Sequence, residues 1–498
     1  MIKMARTYIK TFKEKQHFWI IPDSIDLPSV LKNHPPPFSY KIDYFYHLLD
    51  TISAQMDYID LSDKHHWVRL SAVRLKKFNK NYKQYLTYLE DNKIIVVSKQ
   101  YIPQIQCKGY RLDFKYYNSG VVTIPMQKEN NIIRTKVNAL KAEYKKIQKE
   151  NTANHTHLTK WFDKKLVFDK AGALQEMQVL YPISGYGISA KQRAKIKNGR
   201  FKTSRAIERL ANQDFYNNID DNIGRFHSNL TNLKKELRKH LTYDGQTLIA
   251  LDIKNAQPLF TGVLLDPGFY GSGQNLNLEN MIEKNPKMNK NPKRLKKSKK
   301  EILNYIMFPL LSQSLCQKEF DEYKRIIQSG IFYEEFSKIA FPGRPVKRDD
   351  IKLMVLQLYF ADNRHGPYIH RMVKPFIKVF PTVYKIFSLL KKNEKRVLSH
   401  ILQRIETLVV IEAATRRISN EQPHLPIFTI HDSIATTLGN ELYVERVMKE
   451  EIERITGLDA SIGRELWANT TSPVVPLTVQ PRYLGKLKNL PGQHRQCA

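Results

Sequence analysis

Two short apolar segments, far apart in the chain, each lead to an aspartate. The first runs from Leu248 to Asp252 and the second from Pro426 to Asp432. Apolar runs of this length predict buried strands. The second run continues through Ser433 into another apolar stretch, which predicts a hairpin with a tight polar turn. On adjacent strands, the two carboxylates would form the kind of site that a pair of Mg²⁺ ions requires for phosphoryl transfer.

A third segment predicts a helix with one mixed face. Four residues fall at every fourth position: Arg348, Lys352, Leu356 and Phe360. Side chains with this spacing line one slowly drifting stripe of a helix. The stripe is cationic at its start and apolar at its end. It can therefore bind a triphosphate with its first half and stack against a base or sugar with its second.

The first part of the chain predicts a winged helix from Leu70 onwards. A short helix over 70–78 precedes a second helix whose apolar positions recur at i, i+4 and i+7, namely Tyr82, Leu86 and Leu89. Two extended segments, 94–97 and 108–112, follow. Helix, helix and two-stranded wing is the order of a DNA-binding module, with lysines on its polar side at Lys76, Lys77, Lys80 and Lys83. A small structural subdomain without DNA contact is equally compatible with this order.

Two further segments are rich in lysine. Residues 131–150 predict an amphipathic helix, whose apolar stripe is Ile133, Val137, Leu140, Tyr144 and Ile147. Its lysines are typical of a solvated face, and the helix is also suited to lie along a phosphate backbone. Between Lys284 and Lys300, nine of the seventeen residues are Lys or Arg. This composition cannot form a core and predicts a phosphate-binding loop.

Composition narrows the class of partner. The 498 residues include 81 Lys and Arg against 48 Asp and Glu, a formal net charge of +33. Self-repulsion of this size destabilises a compact chain unless a polyanion offsets it. Nucleic acid is the polyanion that we expect, and a solvated basic surface is the simpler alternative. No run approaches a membrane span, the N-terminus lacks the apolar core of a signal peptide, and the three cysteines have neither disulfide nor zinc spacing. We therefore expect a cytoplasmic protein without membrane contact.

Taken in order, these segments resemble the motifs of family A DNA polymerases and of their relatives, the single-subunit RNA polymerases of phages and mitochondria. The resemblance covers roughly residues 216 to 460. It begins with a polar stretch around Gly224-Arg225 and continues through the strand to Asp252, the Arg-x₃-Lys helix and His431-Asp432. Alone, each segment has an ordinary explanation as a turn, a surface pair or a hairpin. Their shared order makes the signal specific.

The resemblance implies a metal site and a triphosphate site. Asp252 and Asp432 would hold two Mg²⁺ ions, with Mn²⁺ as a substitute. Arg348 and Lys352 would bind the triphosphate of the incoming nucleotide. Lys352 would also protonate the leaving pyrophosphate as a general acid.

The resemblance also implies contacts to the sugar, the primer and the template. Phe360 would contact the sugar and the template base stack, with Leu356 before it on the same nucleotide-binding stripe. Arg225 and His431 would contact the primer end, and Gln403 would lie near the nascent base pair.

Four positions depart from the pattern of the DNA enzymes. Gln257 replaces the glutamate that blocks the ribose 2′-hydroxyl, and Ser433 follows His-Asp as in the RNA enzymes. Phe360 replaces tyrosine, and Ala361 replaces the glycine after it. Gln257 is still bulky enough to crowd a 2′-hydroxyl, so the choice between DNA and RNA synthesis stays open. The first 215 residues show no acidic cluster typical of a 3′→5′ exonuclease, so proofreading is not expected.

The expected fold is α/β (α+β), a right-hand polymerase with palm, fingers and thumb and an N-terminal winged-helix-like module. The module would span 1–125, a thumb-like helical segment 126–215, the palm 216–260 and 401–498 (with the C-terminal tail), and the fingers 261–400. The expected reaction is template-directed addition of dNTPs to a primer 3′ end. Its partners are primer-template DNA and nucleoside triphosphates. This combination suggests a mobile element or a phage.

Three alternatives remain. The first is a single-subunit RNA polymerase or a primase-like enzyme, which ribonucleotide use would select. The second is a non-catalytic replication initiator, in which Asp252 and Asp432 are structural. The third is untemplated synthesis on the same fold, which no feature of the sequence distinguishes from templated synthesis.

Overall fold

Helices and strands are mixed along the chain, which confirms the mixed class predicted from sequence. The computed structural model describes residues 17–56, 67–98, 106–117, 120–127, 130–182, 189–271, 276–283, 315–363, 367–392 and 394–468. The Lys-rich segment 284–300 lies outside these residues, so its predicted loop is not tested. Among the described helices, none is long and apolar enough to cross a membrane.

The N-terminal part of the chain contains two small antiparallel sheets. Its elements are β1 (Phe18–Pro22), α1 (Leu27–Asn33), α2 (Ile42–Met56), β2 (Val68–Arg69), α3 (Ala72–Phe78), α4 (Tyr82–Asp91), β3 (Ile95–Val97), β4 (Gly109–Leu112) and β5 (Val121–Pro125). Strand β1 pairs with β5, and the second sheet has the order β2-β4-β3. Helix α2 packs against both α4 and β4. The two helices and two strands predicted for this region are therefore present, with short shifts at their ends.

Aromatic packing and one buried carboxylate specify this N-terminal core. The Phe45 ring contacts Tyr85 and Tyr88, with centroids 4.6 and 5.2 Å away. Asp43 is buried, and its carboxylate accepts hydrogen bonds from Trp19 Nε1 at 2.9 Å and from Asn130 Nδ2. A buried polar group with its partners in place favours one arrangement of the core.

Helix α8 joins the N-terminal part to the rest of the protein. The connecting elements are α5 (Asn131–Asn151), α6 (Thr156–Thr159), β6 (Leu166–Phe168), α7 (Lys170–Leu180) and α8 (Ala190–Ala211). Phe201 lies in the N-terminal core, whereas Ile207, two turns later, lies in the core beneath the central sheet. Between them, the buried Arg205 donates to Ile20 O at 2.9 Å and pairs with Asp50 at 2.7 Å.

A six-stranded antiparallel sheet forms the centre of the chain. Its order is β11-β12-β10-β9-β6, with β13 paired to β10. The remaining strands are β7 (Asn217–Ile219), β8 (Phe226–Ser228), β9 (Leu241–Tyr243), β10 (Gln246–Ile253), β11 (Ile427–Ile430), β12 (Ser433–Thr437) and β13 (Ile462–Trp467). Strands β7 and β8 form a separate hairpin. Strand β6 comes from the segment 126–215, so that segment is not only helical as expected but also extends the sheet.

Helices that follow β10 pack into the largest core. They are α9 (Ala256–Thr261), α10 (Leu278–Glu283), α11 (Leu315–Gln328), α12 (Phe332–Ala340), α13 (Arg348–Phe360), α14 (Pro367–Val379), α15 (Pro381–Lys391), α16 (Val397–Thr407), α17 (Thr415–Glu421) and α18 (Glu441–Thr456). A π-helical segment, Leu408–Ala414, connects α16 to α17. Such segments occur mostly as local bulges at functional sites. The predicted helix with the mixed stripe is α13.

Helix α5 has nearly the predicted bounds, and only the first half of its apolar stripe is buried. Only Ile133 and Val137 of its apolar stripe are buried, whereas the later positions are exposed at 38%, 66% and 48% for Leu140, Tyr144 and Ile147. The first half packs on the N-terminal core, where Lys136 Nζ donates to Phe78 O. The second half extends beyond that core, so its part of the apolar stripe is exposed.

The histidine of α2 makes the stability of the N-terminal core depend on pH. The His47 ring stacks on Phe78 at 3.5 Å, and burial lowers its pKa to about 3. A histidine in the unfolded chain has a pKa near 6.5. Below that pH it binds a proton that the folded ring does not bind. The contribution of the neutral His47 ring to the free energy of unfolding is thus complete above about pH 6.5. It decreases as the pH falls toward about 3, by at most about 1.4 kcal/mol per pH unit.

The variant His47→Phe keeps an aromatic ring but cannot titrate. Its free energy of unfolding relative to wild type should therefore improve progressively as the pH falls from about 7 to about 4. Urea denaturation at a series of pH values measures this difference. If the offset between variant and wild type is the same at every pH, then His47 does not titrate as inferred.

Candidate active site

The two predicted aspartates lie together at one end of the central sheet. Asp252 is opposite Ser433 in the ladder between β10 and β12. Asp432 immediately precedes Ser433, in the two-residue turn between β11 and β12. The Ile253 N–H donates to Asp432 O at 3.4 Å, and the two carboxyl groups lie within hydrogen-bonding reach of each other. The register of the sheet therefore brings these two carboxylates together.

The turn that presents Asp432 has a constrained backbone. His431 has φ of 54°, in the left-handed region that side chains other than glycine rarely adopt. Ser433 Oγ donates to Ile430 O at 2.9 Å and closes the turn from the other side. Backbone of this kind persists where the surrounding structure holds it, often at functional sites. The turn thus gives Asp432 a fixed position relative to β10.

The two carboxylates repel each other. Burial raises the pKa of Asp432 well above its ordinary value, and Asp252 and Glu406 raise it further. Asp252 is open to solvent, yet protein surrounds it closely enough that desolvation raises its pKa, and Glu465 adds to this. Like charges this close favour protonation of one of them unless a cation neutralises the pair.

Glu406 is a third acidic residue of the site, and it is one that the sequence did not predict. It is buried on α16 and is 3% exposed. Its Oε1 pairs with Arg225 Nη2 at 2.7 Å, and its Oε2 accepts from Gln257 Nε2 at 3.0 Å. Burial raises the pKa of Glu406, whereas Arg225 opposes that shift. This helix therefore fixes two residues that were predicted to contact the substrates.

A fourth carboxylate approaches from β13. Glu465 is opposite Ala250 in the ladder with β10, and its Oε2 pairs with Lys235 Nζ at 2.7 Å. Lys235 and Arg238 both lower the pKa of Asp252, in opposition to burial and Glu465. The guanidinium of Arg238 lies over the Trp467 ring at 5.7 Å. Two cations therefore partly offset the negative charge on this side of Asp252.

His431 lies beside the aspartates as a neutral ring. Burial lowers its pKa to about 4, and Arg225, His227 and Arg238 lower it further. Its Nδ1 is buried without a hydrogen-bond partner among the described residues. The ring therefore remains uncharged at neutral pH and has a free nitrogen for a ligand.

The predicted stripe of α13 faces solvent. Arg348, Lys352 and Phe360 are exposed, and Leu356 is half-buried. The opposite face enters the core through Ile351, Met354, Val355, Leu358 and Tyr359. The stripe is thus accessible from solvent, and no partner for Lys352 occurs within the described residues.

Tyr333 interacts both with α13 and with the charge of the aspartate pair. Arg348 lies over the Tyr333 ring at 5.0 Å and pairs with Glu334 at 2.8 Å. Burial raises the pKa of Tyr333 to about 12, and the charge of Asp432 contributes to that increase. Tyr333, Glu334 and Arg348 also border an open cavity of about 440 Å³, which Arg344 lines as well. The cationic start of α13 is therefore on the same side of the protein as the carboxylate pair.

Within the described residues, no hydrogen bond joins the Gln403 side chain to the carboxylates of the site. It is half-buried on α16, one turn before Glu406. Its neighbour Arg404 instead holds the loop before Arg225, through a hydrogen bond to Ile223 O at 3.2 Å. Gly224 in that loop has φ of 81°, and a Cβ there would lie 2.8 Å from Arg404 Nη1. The left-handed backbone at this position favours glycine.

The residues present fit a pair of divalent cations whose coordination a bound substrate completes. Within the described residues there is no group of three or more His, Cys, Asp or Glu side chains that could hold a metal by itself. Asp252 and Asp432 nevertheless supply two adjacent carboxylates whose repulsion a cation relieves. Mg²⁺ typically binds through one or two carboxylates, with waters and substrate phosphates as the other ligands. A site of this kind is formed fully only with substrate.

The mutual repulsion predicts a stabilising substitution. Asp432→Asn should increase the free energy of unfolding in EDTA by about 1 kcal/mol, because it removes one of two confined charges. Millimolar Mg²⁺ or Mn²⁺ should stabilise wild type more than the variant, since the cations bind the carboxylate pair. Thermal unfolding with and without the ions measures both effects. Asp459→Asn, at an exposed position, is the matched control.

Two results would contradict this account. One is an Asp432→Asn variant that is less stable than wild type in EDTA. The other is an equal increase in unfolding temperature for both proteins when the ion is added.

Comparisons with known proteins do not establish a family for this chain. Neither a protein-family model nor a curated protein sequence matches this chain. Among solved structures, the chain is similar to the POL domain of Pol1 from M. smegmatis, in complex with DNA primer-template and dNTP. The likeness covers 67% of this chain and 74% of that chain, with 10% sequence identity and a TM-score of 0.36. A TM-score of this size does not establish a shared fold.

Proposed function

We propose that this chain is a template-directed nucleotide polymerase, most simply a DNA-directed DNA polymerase of the family A type that extends a primer 3′ end with dNTPs. One observation carries the proposal. Asp252 and Asp432 are held side by side at the end of an antiparallel sheet, in mutual repulsion. Such an arrangement destabilises the free protein, and a site for divalent cations explains why the chain has it.

Asp252 and Asp432 would hold two Mg²⁺ ions, or Mn²⁺ in their place. When bound, the ions lower the pKa of the attacking 3′-hydroxyl and stabilise the leaving pyrophosphate. The sheet positions both carboxylates before the substrate arrives, because the ladder and the strained turn at His431 fix them. His431 stays neutral and therefore does not compete with the cations for the carboxylates.

The cationic start of α13 would bind the triphosphate. Arg348 pairs with Glu334 through an exposed contact, which contributes little to stability, so exchange of Glu334 for a phosphate costs little. Lys352 is exposed one turn later and would bind the same phosphates and protonate pyrophosphate. Leu356 and Phe360 follow on the stripe and would contact the base and the sugar.

Unpartnered polar atoms occur on residues that contact Glu406 or follow or precede an aspartate of the pair closely in sequence, and they support a substrate site. Within the described residues, the buried atoms without a hydrogen-bond partner include Arg225 Nε, Asn255 Nδ2, Gln257 Oε1 and His431 Nδ1. A buried polar atom without a partner calls for an explanation. A primer terminus and a nucleotide would supply the missing partners. Arg225 and His431 would serve the primer end, with Gln403 nearer the nascent pair.

The contacts of Gln257 also keep RNA synthesis as a second candidate. Its amide nitrogen donates to Glu406, which directs Oε1 away from that carboxylate and leaves it without a partner. A free carbonyl oxygen can accept a hydrogen bond from a ribose 2′-hydroxyl. The same side chain can instead exclude that hydroxyl by its bulk. Ser433 after His-Asp is likewise the form found in the RNA enzymes.

Primer extension tests the proposed chemistry. A labelled primer on a DNA template with Mg²⁺ and dNTPs should be extended by wild type and by the control Asp459→Ala. Asp432→Ala should lose at least about 10²-fold in rate, on the scale of losing one group that stabilises transition-state charge. Its affinity for the primer-template, measured by fluorescence anisotropy, should remain. Extension by Asp432→Ala at the wild-type rate would refute the two-metal assignment.

Absence of synthesis by wild type would refute the proposal more broadly. If wild type binds the primer-template tightly but extends it with neither dNTPs nor rNTPs, a non-catalytic replication initiator becomes the better explanation.

Substitution of Gln257 tests the choice of sugar. Gln257→Ala should raise rNTP incorporation relative to dNTP incorporation by about tenfold, because it removes the side chain that crowds the 2′-hydroxyl. Glu406→Ala should change the same ratio in the same direction, since Glu406 holds the Gln257 amide. The ratio of kcat/KM for the two nucleotides is the measurement, with the exposed Gln422→Ala as control. A decrease in rNTP use would instead select the RNA-synthesising candidate.

A further inference from the structure

The N-terminal part contains a helix-turn-helix next to a three-stranded sheet. The order is α2-β2-α3-α4-β3-β4, and the strands pair as β2-β4-β3. Tyr110 of β4 lies opposite Val68 of β2 on one side and Val97 of β3 on the other. Only three residues separate α3 from α4. This topology is that of a winged helix, in which the second helix of the turn enters the DNA major groove.

Helix α4 has one face in the core and one face in solvent. Its core residues are Tyr82, Tyr85, Leu86, Tyr88 and Leu89. Its exposed residues are Lys83, Gln84, Thr87, Glu90 and Asp91. Lys, Gln and Thr side chains form hydrogen bonds to base edges, and they occupy the N-terminal part of the exposed face. The two acidic residues are confined to its C-terminal end.

The chain segment that leads into α4 carries charge of one sign. From Trp67 to Leu89 there are six Lys or Arg residues and no Asp or Glu. The exposed lysines before and within α4 are Lys76, Lys77, Lys80 and Lys83. None of these four has an ion-pair partner within the described residues. An ordinary solvated face mixes both signs of charge, whereas a one-signed surface attracts a polyanion.

A concave surface lies between α3, α4 and the β3–β4 hairpin. Its volume is about 640 Å³, and its charged border consists of Lys76 of α3, Lys83 and Glu90 of α4, and Lys108 just before β4. Val73 is 68% exposed at its edge and supplies an apolar contact. Phosphate contacts position a protein on DNA, while apolar and hydrogen-bonding contacts read the bases. The concave surface has both kinds of group.

We infer that the N-terminal module is a second nucleic-acid site, which binds duplex DNA with sequence preference through α4 in the major groove. Lys76, Lys77, Lys80 and Lys83 contact phosphates. Gln84 and Thr87 contact base edges. Glu90 and Asp91 stay clear of the backbone, because the N-terminal half of α4 enters the groove. This site is separate from the aspartate pair and needs neither a primer terminus nor a nucleotide.

Binding to a closed duplex isolates this site from the polymerase site. The probe is a fluorescein-labelled DNA dumbbell of mixed sequence, whose looped ends offer no primer 3′ end. Full-length Lys80→Ala/Lys83→Ala should bind it at least tenfold more weakly than wild type. Its slope of log K against log salt concentration should be smaller by about 2, one for each lost phosphate contact. Lys32→Ala/Lys449→Ala, with the same change of net charge at other exposed positions, is the control.

Sequence selection tests the role of α4 in base reading. Wild type should enrich one motif from a library of randomised duplexes, and Gln84→Ala should lose discrimination at one position of it by about tenfold. Primer extension by Lys80→Ala/Lys83→Ala should stay near the wild-type rate when the primer-template is saturating. Unfolding temperatures equal to wild type confirm that the exposed substitutions leave the fold intact.

Two outcomes overturn the inference. In the first, the Lys80/Lys83 variant binds the dumbbell no more weakly than the control variant, which makes the module structural. In the second, selection yields no motif, which makes the binding purely electrostatic. Failure of the polymerase proposal would leave both measurements unchanged, because neither depends on nucleotide addition.

Discussion

The candidate site is organised around one unfavourable interaction, the repulsion between the carboxylates of Asp252 and Asp432. The ladder between β10 and β12 sets their separation, and the turn at His431 prevents Asp432 from moving away. Glu406 and Glu465 add further negative charge around the pair. In the free protein, protonation of one carboxyl group relieves the repulsion, which is why the pKa of Asp432 is raised. A divalent cation removes it directly.

The surrounding residues reduce the free-energy cost of this repulsion without abolishing it. Arg225 neutralises Glu406, while Lys235 and Arg238 act on the side of Asp252. Asp432 itself receives weaker compensation, and its pKa remains well above the ordinary value. Charge is therefore balanced around the pair but not at it. This pattern suits a site that binds both cations and phosphates. The carboxylate pair would attract the cations, and the nearby basic residues would attract the phosphates.

Periodicity predicted most of the local structure. The strands that lead to Asp252 and Asp432, the helix α13 and the helices α3 and α4 all have strong apolar patterns, and all are present. Strand β2 has only two residues and offers no such pattern, so the pairing order of the N-terminal sheet could not be predicted. The exposed second half of α5 shows a related limit. An apolar stripe reports that a face can be buried, not whether a neighbour reaches it.

The sequence predicted the aspartates but not the residues that surround them. Asp252 and Asp432 end apolar runs, which is a local signal. Glu406 lies on an amphipathic helix that also carries other polar residues, so the local sequence does not distinguish it as a buried site residue. Its partners Arg225 and Gln257 come from distant segments, and only the fold brings them together. Glu465 likewise depends on the pairing of β13 with β10.

Counting the bound cations tests the central claim most directly. Electron paramagnetic resonance can measure Mn²⁺ bound to wild type and to Asp432→Asn, each with a chain-terminated primer-template and the next nucleotide. The account predicts two Mn²⁺ ions per wild-type chain and at most one in the variant, with the nucleotide retained. Equal Mn²⁺ stoichiometry in the two proteins would show that Asp432 is not a metal ligand and would contradict the account.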